Sequence, residues 1–254
     1  MIENYTELNS KTIDRWVENG WEWGKPISHE DFMRAKNNDW NVLLTPIKPV
    51  PKEWFPKLNN MKLLGLASGG GQQIPIFSAL GANCTVLDYS DKQLESEHLV
   101  AERENYKVNI VKADMTKEFP FEDNSFDIIF HPVSNCYIED VYHVWNECYR
   151  VLKSGGVLLS GLDNGFNFII NDFTARPMVI SNKLPFNPLK NPEQMKTLIE
   201  CGDGIQFSHT FTEQIGGQLK AGFILKDVYE DFNNDPDAIS DGIPSYWATY
   251  SVKP

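Results

Sequence analysis

The segment Met61–Gly71, which reads MKLLGLASGGG, decides the fold of this chain. Its first seven residues are mostly apolar and predict a buried strand, followed by a serine and three glycines. A helix is predicted directly afterwards, over Gln73–Leu80. Glycines let the backbone turn sharply and approach a bound group closely, and the free N–H groups of a helix that begins there face that group. The segment therefore predicts a strand, a ligand-binding loop and a helix, with a ligand-free tight turn as the alternative.

Further short apolar segments follow along the chain, separated by amphipathic stretches. Strands that alternate with helices form parallel sheets with helices on both faces. Two late strands, joined by a polar and acidic loop, predict an antiparallel hairpin at the sheet edge. We therefore predict an α/β fold with a doubly wound sheet of about seven strands, mostly parallel. The later predicted strands are Asn83–Leu87, Val108–Lys112, Phe126–Phe130, Val157–Gly161, Phe223–Tyr229 and Tyr246–Val252, and the later predicted helices are Asp91–Glu104, Val141–Leu152 and Thr212–Ala221.

Acidic residues follow two of the predicted strands. Asp88 ends the second strand, where a carboxylate can accept hydrogen bonds from both hydroxyls of a ribose, and Asp114 follows the third strand in the same way. Because ligands bind outside the carboxyl ends of parallel strands, both side chains should face one crevice, where Tyr89 and Met115 can flank a purine ring. The alternative role for Asp88 is a turn or helix cap. Asp91 is the predicted cap of the next helix, which leaves Asp88 free for a ligand.

Four stretches between residues 63 and 161 together resemble one protein family. The combination of Phe-Pro-Phe, Asp-Asn-Ser-Phe-Asp and Arg-Val-Leu-Lys-x-Gly-Gly is far more specific than a glycine loop. The chain resembles the class I S-adenosylmethionine-dependent methyltransferases, and within them the small-molecule branch that includes quinone-biosynthesis methyltransferases. This resemblance implies a Rossmann-like fold, S-adenosylmethionine as cofactor, S-adenosylhomocysteine as product and a small-molecule methyl acceptor. The stretches are LLGLASGGG (63–71), VLDYSDKQLE (86–95), KADMTKEFPFEDNSFDIIF (112–130) and ECYRVLKSGGVLLSG (147–161).

The resemblance also implies a role for each residue of the crevice. The cofactor-binding set comprises Ala67, Ser68, Gly69 and Gly71 around the methionine part, Asp88 at the ribose, Tyr89 against the adenine, Asp114 and Met115 at the adenine edge, and His131 near the sulfonium. Two positions depart from the family pattern, which usually has an acidic residue in place of Gly65 and glycine in place of Ala67. Ala67 is small enough to keep the backbone path, whereas the change at Gly65 raises the question of what satisfies the cofactor's amino group.

The segment 131–137 (HPVSNCY) follows the fourth strand at the mouth of the predicted crevice. The sulfonium already activates its methyl group, so a general base is needed only if the acceptor is protonated at the working pH. We predict His131 as that base, because histidine is the usual base near neutral pH, with Asn135 and Tyr137 as orienting groups. The alternative is that His131 only hydrogen-bonds a loop carbonyl.

Composition and residue spacing argue against several other classes of function. The 254 residues include 35 acidic and 23 basic side chains, a net charge of −12, whereas nucleic-acid binding needs clustered Lys and Arg. No two of the four cysteines have the spacing of a zinc site, so no metal site is predicted. The N-terminus does not read as a signal peptide, and every apolar run is shorter than the roughly 20 residues that a membrane span needs. We predict a cytoplasmic protein without a nucleic-acid or membrane partner, and leave its oligomeric state open.

The chain is predicted to consist of an N-terminal helical or extended cap segment, 1–60, and a methyltransferase domain, 61–254, with a lid insert at 164–210. The cap is rich in tryptophan and ends in a proline-punctuated stretch, TPIKPVPKEWFP. Aromatic residues of both segments either pack into the core or close over a partly apolar acceptor. The residues predicted to close over it are Tyr5, Trp16, Phe166, Phe168 and Phe173.

Two other functions remain open at this point. The glycine loop together with Asp88 also suits an NAD(P)-dependent oxidoreductase, although Ile74 replaces the third glycine of the dinucleotide fingerprint and Asp114 is unexplained. The departures at Gly65 and Ala67 suit a non-catalytic cofactor-binding or scaffold protein with the same fold. Fold alone does not decide among the three functions.

Overall fold

The computed structural model describes residues 4–171, 177, 179–233 and 242–254. Phe173, one of the aromatic residues predicted to close over the acceptor, lies outside the described residues. The described part of the chain contains seven strands that form one sheet. They are β1 (Lys62–Leu66), β2 (Asn83–Asp88), β3 (Asn109–Lys112), β4 (Phe126–His131), β5 (Leu152–Asp163), β6 (Ile224–Asp231) and β7 (Tyr246–Val252).

The strand order across the sheet is β3-β2-β1-β4-β5-β7-β6. The first five strands along the chain are parallel, and β7 runs antiparallel to both of its neighbours, β5 and β6. This arrangement confirms the predicted doubly wound α/β sheet with an antiparallel hairpin at its edge. The carboxyl ends of the five parallel strands therefore lie along one edge of the sheet.

Helices cover both faces of the sheet because the strands are apolar on both sides. In β4, Ile128 and Phe130 pack into the core on one face, and Ile129 packs into the core on the other face. Side chains of the helices Gln73–Ala79 and Asp91–Glu104 belong to the first core, and side chains of the helices Val141–Val151 and Phe211–Ala221 belong to the second. The helices of the described residues are α1 (Tyr5–Glu18), α2 (His29–Lys36), α3 (Gln73–Ala79), α4 (Asp91–Glu104), α5 (Val141–Val151), α6 (Pro192–Cys201) and α7 (Phe211–Ala221).

The proline-rich stretch of the N-terminal segment is part of the hydrophobic core. Trp54 is 2% exposed, its ring stacks on Tyr250 of β7 at a centroid distance of 5.7 Å, and its indole N–H donates to Asp227 of β6. Val42 and Leu44 join the same core. The domain boundary at residue 60 stays a prediction, but residues 42–58 contribute to the fold itself.

Two elements differ from the sequence prediction. The strand β5 begins at Leu152 and not at Val157, because Leu152 already pairs with Phe126, and residues 153–156, where Gly155 has a φ of 77°, form an irregularity within the strand. The segment 164–210, predicted to be irregular, contains α6. The start signals of α6 are present in the sequence, since Asn191 caps the helix and proline follows it.

Gly161 of β5 supplies a test of this packing. A Cβ atom at this position would lie 1.9 Å from the carbonyl oxygen of Leu44, which accepts a hydrogen bond from the N–H of Val133. The backbone at Leu44 cannot move aside as the end of a flexible side chain can. We therefore expect Gly161→Ala to lower the free energy of unfolding by about 3 kcal/mol. Chemical denaturation measures this loss.

The matched control is Gly216→Ala in α7, where a Cβ atom would meet only Thr212 Cγ2 at 3.6 Å. Alanine is the better helix former, so this variant should be as stable as the natural protein or gain up to about 1 kcal/mol. Equal stability of the two variants would contradict the packing described for Gly161.

Candidate active site

A cavity of about 340 Å³ lies at the carboxyl ends of β1, β2, β3, β4 and β5. The position agrees with the general rule that ligands bind at this edge of open α/β sheets. Most of the predicted site residues line it: Ala67, Ser68, Gly69, Asp88, Tyr89, Asp114, Met115 and Tyr137. Three predicted residues lie behind its lining: Gly71, His131 and Asn135.

The glycine loop forms the wall of the cavity next to β1. Ala67 has a φ of 47°, in the left-handed region, and its N–H donates to the carbonyl of Leu87 at 2.8 Å. Gly69 packs against α4 so closely that a Cβ atom there would lie 2.7 Å from Gln93 Cβ. Gly71 turns away from the cavity, and its N–H donates to the carboxylate of Glu97 at 3.2 Å. The loop therefore leaves its backbone, with only small side chains, facing the cavity at residues 67–69.

Asp88 is held in place by the backbone of the loops on either side. Its Oδ2 accepts from the N–H of Gly69 at 3.0 Å, and its Oδ1 accepts from the N–H of Ser90 at 3.0 Å. Burial raises the pKa of Asp88, and these two backbone donors act in the opposite direction. Ser90, and not Asp91 as predicted, caps α4 by accepting from the N–H of Gln93. Asp88 is therefore free to offer its remaining lone pairs to a ligand.

The opposite wall is formed by Asp114 and Tyr89, with helix α1 lying over them. The hydroxyl of Thr6 donates to Asp114 Oδ2 at 2.7 Å, and the hydroxyl of Ser10 donates to the carbonyl of Tyr89 at 2.7 Å. Thr6 and Ser10 also line the cavity. The N-terminal helix is therefore fixed to the two residues that are predicted to bind adenine. Met115, the fifth residue of this wall, is 8% exposed.

His131 lies at the end of β4 but is fully buried. Its Nδ1 is 3.0 Å from the carbonyl oxygen of Leu66, and its Nε2 is 2.9 Å from Asn135 Oδ1. Burial lowers the pKa of His131, so its neutral form is favoured. Because both ring nitrogens have protein partners, this geometry favours the alternative noted from the sequence, a histidine bonded to a loop carbonyl. The general-base role stays a prediction.

Asn135 and Tyr137, the predicted orienting groups, have different surroundings. Asn135 is 1% exposed and its amide nitrogen donates to Gln214 Oε1 of α7 at 3.0 Å, so it connects β4 to that helix. Tyr137 lines the cavity and packs against Trp16 of α1 at a centroid distance of 6.3 Å. Burial raises the pKa of Tyr137 well above its ordinary value, so it stays protonated. Tyr137 can therefore contact a ligand. Asn135 does not line the cavity, and it bonds His131 and Gln214 behind the cavity wall.

The departure at Gly65 has a structural counterpart. A Cβ atom at Gly65 would lie 2.4 Å from Cδ1 of Ile74, which is fully buried at the beginning of α3. A larger side chain at residue 65, such as the acidic residue expected from the resemblance, would therefore meet Ile74. The wall beneath the glycine loop is apolar here.

Three residues of the far end of the cavity escaped the sequence analysis. Asp163 ends β5, Asn167 follows it, and Tyr246 begins β7; all three line the cavity, together with Phe168, which the sequence analysis places over the acceptor. Asp163 carries the same signal as Asp88 and Asp114, an acidic residue at the carboxyl end of a parallel strand. It was missed because the predicted strand ended at Gly161.

Comparisons with known proteins agree with this arrangement. A family model described as "Methyltransferase domain" matches residues 64–160. The uncharacterized methyltransferase YbaJ of Bacillus subtilis is 42% identical over 250 residues, which cover 96% of this chain and 97% of that protein. The structure of an S-adenosylmethionine-dependent methyltransferase from Mesorhizobium loti superposes with a TM-score of 0.62 at 17% identity, covering 79% of this chain and 94% of that chain. The chain belongs to the class I S-adenosylmethionine-dependent methyltransferases.

A more distant relative shares only part of its length with this methyltransferase. The sterol 24-C-methyltransferase erg6 of Aspergillus fumigatus is 32% identical over 184 residues, which cover 70% of this chain but 44% of that protein. The comparisons support a methyltransferase over both the oxidoreductase and the non-catalytic alternative. No helix among the described residues is long and apolar enough to cross a membrane.

S-adenosylmethionine is the cofactor, and the residues of the cavity fit it. Carboxylates at two neighbouring strand ends, Asp88 and Asp114, suit the ribose hydroxyls and the amine of adenine. At Gly69 even a methyl group would come within 3.0 Å of Asp88 Oδ2, so the loop must stay bare where the cofactor approaches. Within the described ranges no group of three or more His, Cys, Asp or Glu side chains could hold a metal ion.

We expect Asp88→Asn to weaken the binding of S-adenosylhomocysteine by roughly 10–100-fold, because hydrogen bonds to a charged acceptor are lost. Isothermal titration calorimetry measures the dissociation constant, and thermal unfolding without ligand shows whether the variant is folded. Asp91→Asn is the matched control, since Asp91 starts α4 on the surface and pairs with Lys112. Unchanged affinity in Asp88→Asn would contradict the ribose-binding role.

We expect His131→Gln to lower stability more at about pH 7.5 than at about pH 5.5. The pKa of His131 lies below its ordinary value of 6.5 in the folded protein, so its contribution is present above pH 6.5 and is lost as the pH falls. Urea denaturation at both pH values measures the stability difference from the natural protein. His98→Gln, on the exposed face of α4, is the control, and a difference for His131→Gln that does not depend on pH would contradict the neutral, buried state.

Proposed function

We propose that this methyltransferase acts on a small, partly apolar molecule that binds beyond the cofactor, between the ends of β4, β5 and β7. The observation that carries the proposal is the enclosure of that end of the cavity. Tyr137, Phe168 and Tyr246 line that end, and the whole cavity, with a volume of about 340 Å³, has the size of a small-molecule site. A macromolecular acceptor would need an open groove.

The enclosure is completed by two segments that contact each other. Asn9 of α1 is 4% exposed; its amide nitrogen donates to the carbonyls of Tyr137 and Ile205, and its Oδ1 accepts from the N–H of Ile205. Tyr5 of α1 packs against Phe207 at a centroid distance of 5.3 Å. These contacts join the N-terminal helix to the end of the segment 164–210. They support the proposal that both segments cover the acceptor.

Methyl transfer requires few chemical groups from the protein besides an enclosed site. S-adenosylmethionine supplies a methyl group that its sulfonium already activates. The residues of the chain bind the acceptor, hold its nucleophilic atom toward the cofactor and exclude water. The acidic residues at the strand ends repel anionic polymers, which agrees with the net charge of −12. A cytoplasmic location and the absence of a nucleic-acid partner stay predictions.

The test uses S-adenosylmethionine with an isotopic label in its methyl group. The purified protein is incubated with a bacterial extract that has been separated into molecules below about 1 kDa and macromolecules. With the natural protein we expect the label to move from S-adenosylmethionine to a different compound in the small-molecule fraction. With Asp88→Asn we expect much less of that labelled compound. Label that is found in protein or nucleic acid, and not in small molecules, would contradict the proposal.

A further inference from the structure

Asp163 is the one acidic side chain at the acceptor end among the described residues that line the cavity. It is the last residue of β5 and pairs with Tyr246 of β7 in the antiparallel ladder. In the sheet, β5 is separated by β4 from β1, and β2 and β3 lie farther still. Asp163 is therefore on the side of the cavity away from Asp88 and Asp114.

The carboxylate of Asp163 is buried without a cation. It is 6% exposed, its Oδ1 accepts from the N–H of Gly165, and its Oδ2 accepts from Asn167 Nδ2 at 2.8 Å. No lysine, arginine or histidine of the described ranges forms an ion pair with it. A buried carboxylate is costly unless it is paired, and burial raises the pKa of Asp163 to about 6.

The titratable groups that face Asp163 do not supply the missing charge. Cys136 and Tyr246 lie close enough to interact with it electrostatically, and burial raises the pKa of both, so both stay neutral near pH 7. Tyr137, which also lines the cavity, is protonated for the same reason. The acceptor end therefore combines one negative charge with aromatic and neutral polar walls.

We propose that Asp163 binds a protonated amine of the methyl acceptor, which makes the acceptor a small amine with an apolar body. The inference rests on the proposed function, since it names the class of molecule that occupies the acceptor end. An ammonium group satisfies the carboxylate through a charge-assisted hydrogen bond. The faces of Tyr137, Phe168 and Tyr246 offer it cation–π contacts and cover the apolar part.

A second buried carboxylate shows what distinguishes Asp163. Glu97 of α4 is fully buried, and burial raises its pKa to about 7. Its oxygens accept from the hydroxyl of Tyr106 at 2.9 Å and the N–H of Gly71 at 3.2 Å, and it does not line the cavity. Glu97 thus joins α4 to the glycine loop, whereas Asp163 faces space that a ligand can enter.

The first experiment examines the charge of the labelled product. The small-molecule fraction from the labelling assay is applied to a cation exchanger at about pH 5, where amines are protonated. Retention of a labelled compound that has been separated from the unreacted S-adenosylmethionine, itself a cation, supports an amine. Label in the unbound fraction would overturn the inference and leave the proposed small-molecule function intact, whereas label in macromolecules would contradict the proposed function itself.

The second experiment tests the residue, using Asp163→Asn in the full-length protein. We expect labelling at limiting extract to fall roughly 10–100-fold, because a hydrogen bond between charged groups is lost, with unchanged affinity for S-adenosylhomocysteine. Asp127→Asn is the matched control, because Asp127 lies at the start of β4 and pairs with Lys153 outside the cavity. Unchanged labelling would overturn the proposal. Weakened binding of S-adenosylhomocysteine would also overturn it, because Asp163 would then hold the cofactor.

The pH dependence separates a binding role from a structural one. In the natural protein, labelling should fall as the pH is lowered through about 6, because protonation removes the charge of Asp163. In Asp163→Asn this part of the profile should be absent, while any effect of Asp88 remains in both proteins. The same profile in both proteins would contradict the proposal.

Discussion

The carboxylate of Asp88 connects three elements whose meeting point creates the cavity. One oxygen accepts from Gly69, in the loop after β1, and the other accepts from Ser90, at the start of α4. Without these bonds two backbone N–H groups and a carboxylate would be buried without partners, which is strongly unfavourable. Gly69 must be glycine because α4 lies against it, with Gln93 at the contact. Asp88 thus fixes the loop after β1 against the start of α4, at the wall of the cavity.

The cavity is acidic along its whole length. Three carboxylates line it, and each accepts hydrogen bonds from neighbouring N–H or O–H groups: Asp88, Asp114 and Asp163. None of the three forms an ion pair within the described ranges. Neutral donors orient a carboxylate but leave its charge uncompensated, so a negative potential remains in a site of low dielectric constant. Such a potential favours a cation, and the sulfonium cofactor carries one. At the acceptor end of the cavity, the uncompensated charge of Asp163 is the basis for proposing an amine acceptor.

The sheet could be predicted because its central strands are buried on both faces, so that segments such as LLGL and IIF are continuously apolar. Helix α6 was missed although Met195, Leu198 and Ile199 have helical spacing, because this short apolar pattern lies in a stretch rich in Asn, Phe and Pro. The start of β5 was missed because Gly155 and Gly156 favour a turn, whereas the pairing of Leu152 with Phe126, ahead of these glycines, arises only in the sheet.

The candidate site was predictable to the extent that strand ends define it. Asp88 and Asp114 line the cavity as expected, because any side chain just beyond a parallel strand is near the ligand edge. His131 also ends a strand, but its ring lies against Trp145 of α5 at a centroid distance of 6.0 Å. The direction of a side chain at a strand end depends on the pleat and on the helix packed below. Neither can be read from the position of a residue in the sequence.

The contact between Gly65 and Ile74 constrains how this sequence can change over evolutionary time. An acidic side chain at residue 65 would clash with Ile74 as long as the isoleucine is present. A smaller residue at 74 alone would leave a void beneath the glycine loop, which is also destabilising. Each single replacement is unfavourable by itself, so the two positions must change together. Residues 65 and 74 therefore form one packing unit, in which the size of one side chain sets the size that the other can have.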